Sequence, residues 1–230
     1  MEYSFYGLRR AGNHAVLEWL LKNISENENR NVVKSRRIIQ YGNSVYFNEC
    51  NTYSKHKLEA DILFCRREFQ NLILAYEDVP TTYKLTSNSD RDIVIVRDIN
   101  NLFASRFKNI QKHNKPYYSG DMRLDEESVN IWKQHVNAGL SGDAVLIHFE
   151  RWVASREYRD SISERLNITN LDKTDTVTNF GGGSSFSGTR KPSIEELKNR
   201  ANQIELPKPV QSRIQQLDII ELQQKLNNFP

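Results

Sequence analysis

Cysteine is scarce: Cys50 and Cys65 are the only two in 230 residues. Two thiols make no disulfide framework. With only His56 near them, they make no zinc set either. They read as buried or incidental thiols of a reducing compartment, so a cytoplasmic setting is expected. Long apolar runs are also missing, and none approaches the roughly 20 residues that cross a bilayer; no membrane partner is expected. The first strand pattern opens at Tyr3, so no signal peptide is expected. A strong charge of one sign is lacking as well. The 32 basic and 29 acidic residues leave a net +3, scattered along the chain instead of gathered in a stripe. That argues against nucleic acid as a partner and suits an anionic small molecule. No internal repeat is visible. The length predicts a single domain, residues 1–230, with a sizeable core.

What is present is organised around the first twenty residues. An aromatic segment, Tyr3 to Tyr6, reads as a strand. A turn with Gly7, Arg9, Arg10 and Gly12 follows, then an apolar run from Ala15 to Leu21 that reads as a helix packed on a sheet. Strand, glycine loop and helix N-terminus form the geometry that binds phosphate groups, through backbone N–H groups and the helix dipole. Gly7-x-x-x-x-Gly12 has the glycine spacing of a nucleotide-triphosphate loop, but Asn13 and His14 stand where that motif needs Lys and Ser/Thr. The loop therefore has no hydroxyl for magnesium, and its positive charge sits in the turn. By residue pattern alone, an ordinary tight turn with surface arginines competes evenly with a phosphate site.

Further along, Asn23 to Arg30 reads as a loop, and residues 37–47 read as two short strands around a turn at Gly42–Ser44. Lys55 to Gln70 has helical spacing at Leu58, Ile62, Cys65 and Phe69. Asn71 to Tyr76 reads as a buried strand ending in Glu77-Asp78-Val79-Pro80. Asp92 to Arg97 is β-branched throughout, as a central parallel strand is. Asp98 caps the next helix, Ile99 to Ile110, which carries Ser105 and Arg106. A loop spans His113 to Glu126. A helix from Glu127 to Leu140 ends at Gly142. Ala144 to Phe149 reads as a strand, followed by a helix over 155–166. Phe180 to Gly188 is a second glycine-rich loop, and Ser193-Ile-Glu-Glu196 is a capping box. The rest, to Phe229, reads as helical with a turn at Pro207–Pro209. Alternating strands and helices predict an α/β fold: three layers, α/β/α, with a mostly parallel central sheet. Ligands bind such sheets at the strands' carboxyl ends, where Arg9, Arg10, Glu77, Asp78, Arg97, Glu150 and Arg151 all fall.

Three stretches, in this order, resemble the sulfotransferases that use 3′-phosphoadenosine 5′-phosphosulfate (PAPS). Gly7-Leu-Arg-Arg-Ala-Gly-Asn-His14 looks like that family's 5′-phosphosulfate loop, with Arg10 at the basic position two residues before the second glycine. Ile93-Val-Ile-Val-Arg97 with Ser105 is similar to its 3′-phosphate site. Gly181-Gly182-Gly183-Ser184-Ser185-Phe186 resembles a late glycine-rich segment that closes over the nucleotide. The resemblance implies a P-loop-like sulfotransferase fold. It also implies a cofactor set of Arg9, Arg10, Ala11, Gly12, Asn13, His14, Arg97, Ser105, Gly182, Gly183, Ser184, Ser185 and Phe186. PAPS is the implied donor and 3′,5′-ADP the product, with no metal required. The family's loop usually continues with Thr-Thr or Thr-Ser and an aromatic residue for adenine. Here Asn13, His14 and Ala15 stand there, so adenine needs another partner, for which Phe180 and Phe186 are the choices.

Sulfuryl transfer needs a cation at the leaving bridging oxygen and a base on the acceptor hydroxyl. Arg10 is the expected cation, with His14 as proton donor or phosphate ligand. Glu77 or Asp78 is the expected base. Strand alternation points one of them at the site, and Glu77 has the longer reach. The other carboxylate pairs with Arg10 or Arg97 on the plain structural reading. The acceptor is a small molecule or a carbohydrate, and Tyr117 and Tyr118 are candidates to line its pocket. His135, His148, Trp19, Trp132 and Trp152 read as packing residues, and Glu150–Arg151 as a strand-end pair. Two other classes compete: a small-molecule kinase, which Asn13-His14 disfavours, and a silent nucleotide-binding module.

Overall fold

The computed structural model describes residues 1–25, 30–31, 38–52, 55–84, 90–113, 123–169, 195 and 199–229. The aromatic opening segment forms β1 (Glu2–Gly7), and the apolar run behind the glycine turn forms α1 (Asn13–Ile24). Next come β2 (Arg30–Asn31), β3 (Ile38–Tyr41), β4 (Ser44–Phe47), α2 (Lys55–Glu68), β5 (Asn71–Glu77) and β6 (Arg91–Val96). The second half holds α3 (Ile99–Lys112), α4 (Glu126–Ser141), β7 (Val145–His148), α5 (Phe149–Ala154), α6 (Arg156–Leu166), α7 (Lys208–Ile214) and α8 (Leu217–Asn228).

Among the described residues the sheet has seven strands, in the order β2-β3-β4-β5-β1-β6-β7. The run from β4 to β7 is parallel, and the β2–β3 and β3–β4 pairs are antiparallel. Both faces are covered, which is why β1, β5 and β6 read as near-continuous apolar runs. On one face Tyr3, Ile73 and Ile93 pack with Leu20 and Ile24 of α1 and Leu166 of α6. On the other, Tyr6 stacks on Tyr76 with ring centroids 5.0 Å apart, and His135 of α4 lies edge-on to Tyr6. The expected α/β class with a mostly parallel sheet holds.

Helix ends follow local chemistry. Asp98 accepts from the Asn101 amide, Asp125 from Ser128 and Ser155 from Tyr158, each satisfying an N–H that the first turn leaves open. Gly142 ends α4 in the left-handed conformation at φ 86°. Three local expectations differ from what is observed. Arg30 belongs to a strand because its backbone pairs with Tyr41. Phe149 starts α5 directly after β7 instead of extending the strand. The C-terminal stretch breaks twice, at residues 204–207, where Pro207 caps α7 and Pro209 sits in its first turn at no cost in hydrogen bonds, and again at Gln215–Gln216, where no break was expected. The glycine-rich segment 180–188, the loop tyrosines Tyr117 and Tyr118, and all of the capping box but Glu195 lie outside the described residues.

Cys50 and Cys65 are free and buried. Among the described residues no helix is long and apolar enough to cross a membrane.

Gly139 lets α4 close onto β7: a Cβ there would stand 2.8 Å from Leu146 Cβ and 2.7 Å from its Cδ1. Gly139→Ala gains up to about 1 kcal/mol of helix propensity, against about 1–3 kcal/mol for overpacking. A net loss of about 1 kcal/mol is expected in a urea titration, and a gain in stability would contradict this seating of α4.

Candidate functional site

The carboxyl ends of β1, β5 and β6 meet where the chain leaves β1 toward β4 on one side and leaves β6 toward β7 on the other. Open α/β sheets have their crevice at such a switch point. The β1–α1 loop, residues 8–12, occupies it. Arg10 is left-handed at φ 75° and Gly12 at φ 103°. Gly12 has a second reason to be glycine, because a Cβ would lie 2.2 Å from the Phe149 ring.

Two buried arginines hold the loop from the β6–α3 side. Arg97, 1% exposed, donates from Nη1 to the Arg10 carbonyl at 3.2 Å and from Nε to Glu150 at 3.1 Å. Its guanidinium also lies over the Phe149 ring at 5.3 Å. Arg106, also 1% exposed, donates from Nε to the Arg9 carbonyl at 3.0 Å. It further donates to the Arg123 carbonyl at 2.9 Å, to Ser128 Oγ at 3.3 Å and to Asp78 Oδ1. A trans peptide sends its N–H opposite to its C=O. Anchoring the Arg9 carbonyl on Arg106 therefore turns the Arg10 amide the other way. The amides of Gly12, Asn13 and His14 have no acceptor among the described residues, and α1 has no side-chain cap and no acid in its first turn. These are the open donors that make a helix N-terminus attractive to anions.

Both carboxylates at the end of β5 face the loop, where strand alternation predicted one. Glu77 is still in the strand, whereas Asp78 has turned left-handed at φ 56° and breaks the alternation. Glu77 is fully engaged. Oε2 accepts from Arg9 Nε at 3.0 Å and Oε1 from Asn13 Nδ2 at 2.8 Å. Its backbone is paired in both directions by the Asn51 side chain, at 2.9 and 3.1 Å. Asp78 Oδ1 accepts from the Arg9 amide at 3.1 Å and from Arg106. Its Oδ2 stands 3.8 Å from Arg9 Nε and accepts no hydrogen bond from the described residues. The Asp78 side chain is 21% exposed, against 7% for Glu77.

The pairing partners differ from the structural reading of the sequence. Glu77 pairs with Arg9, while Arg97 pairs with Glu150; Arg151 turns instead to the Phe229 carbonyl and lies over Tyr158. Glu150 also accepts from the Asp98 amide at 3.2 Å and has His148 Nε2 at 3.3 Å. Burial alone would push its carboxyl up; His148 and the Arg97 charge outweigh that and hold it below the usual carboxylate range.

Arg10 is the exception among the loop's arginines. It makes no ion pair with the described residues, and its Nε is buried without a hydrogen-bond partner. Burial draws its guanidinium below the usual value; Glu77 opposes the shift and Arg106 adds to it. Asn13 Oδ1 and His14 Nδ1 are likewise buried without hydrogen-bond partners among the described residues, and Ala11 is buried in the turn, its amide bonded to the Leu8 carbonyl at 3.0 Å. Ser105 is buried and accepts from Arg200 Nη1 at 3.3 Å. The loop, Arg97, Glu77 and Asp78 thus form one cluster, and Ser105 has Arg200 for company. Gly182, Gly183, Ser184, Ser185 and Phe186 lie outside the described residues. No group of residues able to hold a metal ion occurs among those described.

Sequence reasoning placed Arg106 beside Ser105 but gave it no role, and it did not name Arg200 or Asn51. The signal for Arg106 is its place on the apolar face of α3, in register with Leu102, Phe103 and Ile110, where an arginine needs buried partners. Comparison with protein-family models, with curated proteins and with solved structures finds no match for this chain.

His135 holds the Asp78–Val79 turn from below, with Nε2 2.9 Å from the Val79 carbonyl. Burial lowers its pKa from about 6.5 to about 4, while the Val79 carbonyl and then Asp78 work in the opposite direction. The folded state therefore stays unprotonated while the unfolded chain takes up a proton, so stability falls as pH drops from about 6.5 to about 4. One proton over that window amounts to about 3 kcal/mol. Urea titrations at pH 4.5, 5.5 and 7 should show this slope in the wild type and a flatter one in His135→Gln.

Proposed function

We propose that the chain is a sulfotransferase, taking a sulfuryl group from PAPS to a hydroxyl or amine of a small-molecule or carbohydrate acceptor. The observation that carries this reading is Arg10. Four arginines surround the loop, and three of them are matched by carboxylates: Arg9 by Glu77, Arg97 by Glu150 and Arg106 by Asp78. Of these four, Arg10 alone keeps a buried donor with no partner among the described residues, beside open helix N-terminal amides. That combination calls for an anion from outside the chain. Asn13 is committed to Glu77, and no lysine or hydroxyl follows Gly12 to serve a magnesium triphosphate. Both points favour a sulfate–phosphate donor that needs no metal over a nucleoside triphosphate.

In this reading the donor's 5′-phosphosulfate lies against Arg9, Arg10, Ala11, Gly12, Asn13 and His14. Charge grows on the bridging oxygen as the S–O bond breaks, and Arg10 stabilises it without readily giving up its proton. His14 donates to or hydrogen-bonds a phosphate oxygen. Asp78 is the base: its Oδ2, which accepts no hydrogen bond from the described residues, takes the acceptor's proton, while Glu77, with both oxygens engaged, braces Arg9 and Asn13. The donor's 3′-phosphate belongs with Ser105, joined by Arg200, and Arg97 serves by fixing the loop. Gly182, Gly183, Ser184, Ser185 and Phe186 are assigned to cover the nucleotide. The fold is that of the P-loop-like sulfotransferases and the setting is cytoplasmic.

A thermal-shift titration tests the donor. With 3′,5′-ADP at about 100 times its dissociation constant and no magnesium, the chain should gain about 2.7 kcal/mol of stability. Arg10→Ala should lose most of that gain. Asp78→Asn should keep the binding and lower the rate of sulfuryl transfer by about 10²–10⁴-fold. Stabilisation by magnesium-ATP in place of 3′,5′-ADP would replace this reading with that of a kinase.

A further inference from the structure

We infer that Arg106 is the positioning residue that aligns the two halves of the transfer, the donor loop and the acceptor's base, through one guanidinium. The inference rests on the sulfotransferase reading and extends it to a residue outside the resemblance. Arg106 is 1% exposed and lies on α3, one residue after Ser105. Its Nε reaches the Arg9 carbonyl at 3.0 Å, which fixes the peptide leading into the left-handed Arg10. Its Nη2 takes Asp78 Oδ1. Asp78 is thereby held with Oδ1 occupied and with Oδ2, 3.8 Å from Arg9 Nε, accepting no hydrogen bond from the described residues, the orientation a base needs. Its Nη1 is braced on the Arg123 carbonyl at 2.9 Å and Ser128 Oγ at 3.3 Å. Ser128 Oγ in turn lies 3.0 Å from Asp125, the cap of α4. The fork is therefore clamped on three sides by groups from four segments.

The geometry gives Arg106 work that lysine cannot do. Three directed donors in one plane hold a carbonyl, a carboxylate and the α4 cap together; an ammonium on a flexible stem holds one or two of these with no fixed angle between them. Misplacing reactive groups by about 1 Å is enough to cost about 10²-fold in rate. Arg106 does not touch the reacting atoms. The acceptor's proton passes to Asp78 as the acceptor oxygen bonds sulfur and the bridging S–O bond breaks, leaving 3′,5′-ADP.

The test compares wild type, Arg106→Lys, Asp78→Asn and the double variant Asp78→Asn/Arg106→Gln. The double variant removes both buried charges together, so no unpaired carboxylate opposes folding. Two quantities are read: the dissociation constant of 3′,5′-ADP by calorimetry, and the single-turnover rate of PAPS cleavage with water or glycerol as acceptor. Arg106→Lys should cleave about 10²-fold more slowly while binding 3′,5′-ADP within about 3-fold of wild type. Adding Arg106→Gln to Asp78→Asn should slow cleavage by clearly less than the roughly 10²-fold expected for Arg106→Lys in the wild type, because the part of its action that passes through Asp78 is already lost and only its hold on the Arg9 carbonyl remains. A lysine variant as fast as wild type overturns the inference, and so do effects in the double variant that multiply. A wild type that binds 3′,5′-ADP and leaves PAPS intact overturns Asp78 as base and Arg106 with it. A wild type that does not bind 3′,5′-ADP at all brings down the sulfotransferase reading beneath both.

Discussion

Two neighbouring carbonyls, those of Arg9 and Arg10, are each held by a buried guanidinium, and the site depends on that arrangement. The peptide unit is planar, so fixing its oxygen also fixes its N–H. Arg106 and Arg97 approach from the β6–α3 side. They turn the loop's carbonyls inward to themselves and leave open amides at the start of α1. The same two arginines would be heavily destabilising if alone, since burying a guanidinium costs several kcal/mol. Glu150 and Asp78 offset that cost, and each belongs to a different element from its partner. The loop's shape is thus set by ion pairs linking β5, β6, α3 and α5, and not by the loop's own short-range propensities.

The pairing pattern explains why neighbouring residues of like type end up with different roles. Arg9 and Arg10 are adjacent and chemically identical, yet Arg9 lies against Glu77, Asp78 and Glu49 while the left-handed turn carries Arg10 past them. Glu77 and Asp78 are also adjacent. Glu77 remains in the strand ladder with both oxygens taken, and Asp78 leaves it with one oxygen that accepts no hydrogen bond from the described residues. In each pair a single positive φ separates the residue that holds the structure from the residue left open to a ligand.

Much of the frame was legible in the sequence, because periodicity and capping are local. The β-branched run ending at Arg97, the Asp98 cap, the turn at Gly42 and the glycine turn before α1 all lie where their patterns predicted. Charge partners were not legible. Glu77 meets Asn13 across 64 positions and Arg97 meets Glu150 across 53, and no local pattern records which long-range pair forms. The alternation rule failed at Asp78 because it assumes an extended backbone, and the chain turns left-handed there. Arg106 was hidden by its own setting: an arginine on the buried face of a helix looks like an error in an apolar stripe until its partners are known. The Arg97–Ser105 spacing was readable as a pattern, but each residue has a separate partner in the fold, Glu150 for the first and Arg200 for the second.

Backbone strain leads to the same place by an independent route. Among the described residues, four other than glycine have positive φ: Arg10, Glu49, Asp78 and Asn167. Asn167 ends α6, and asparagine is well suited to that left-handed cap. Asp78 shares that tolerance in part, whereas Arg10 and Glu49 have no such local excuse and each conformation costs about 1–2 kcal/mol. All three meet around Arg9. Arg10 follows it in the chain, Asp78 accepts from its amide and Glu49 lies 3.8 Å from its Nη2. A fold selected for stability alone would relax such positions with glycine or asparagine. Here they are occupied by charged residues whose buried partners overdetermine the backbone, and strain persists under that condition at functional sites. The Arg10 donor and the Asp78 oxygen that have no hydrogen-bond partner among the described residues sit on two of these three positions. Removing the strain would therefore move the groups that the proposed chemistry needs.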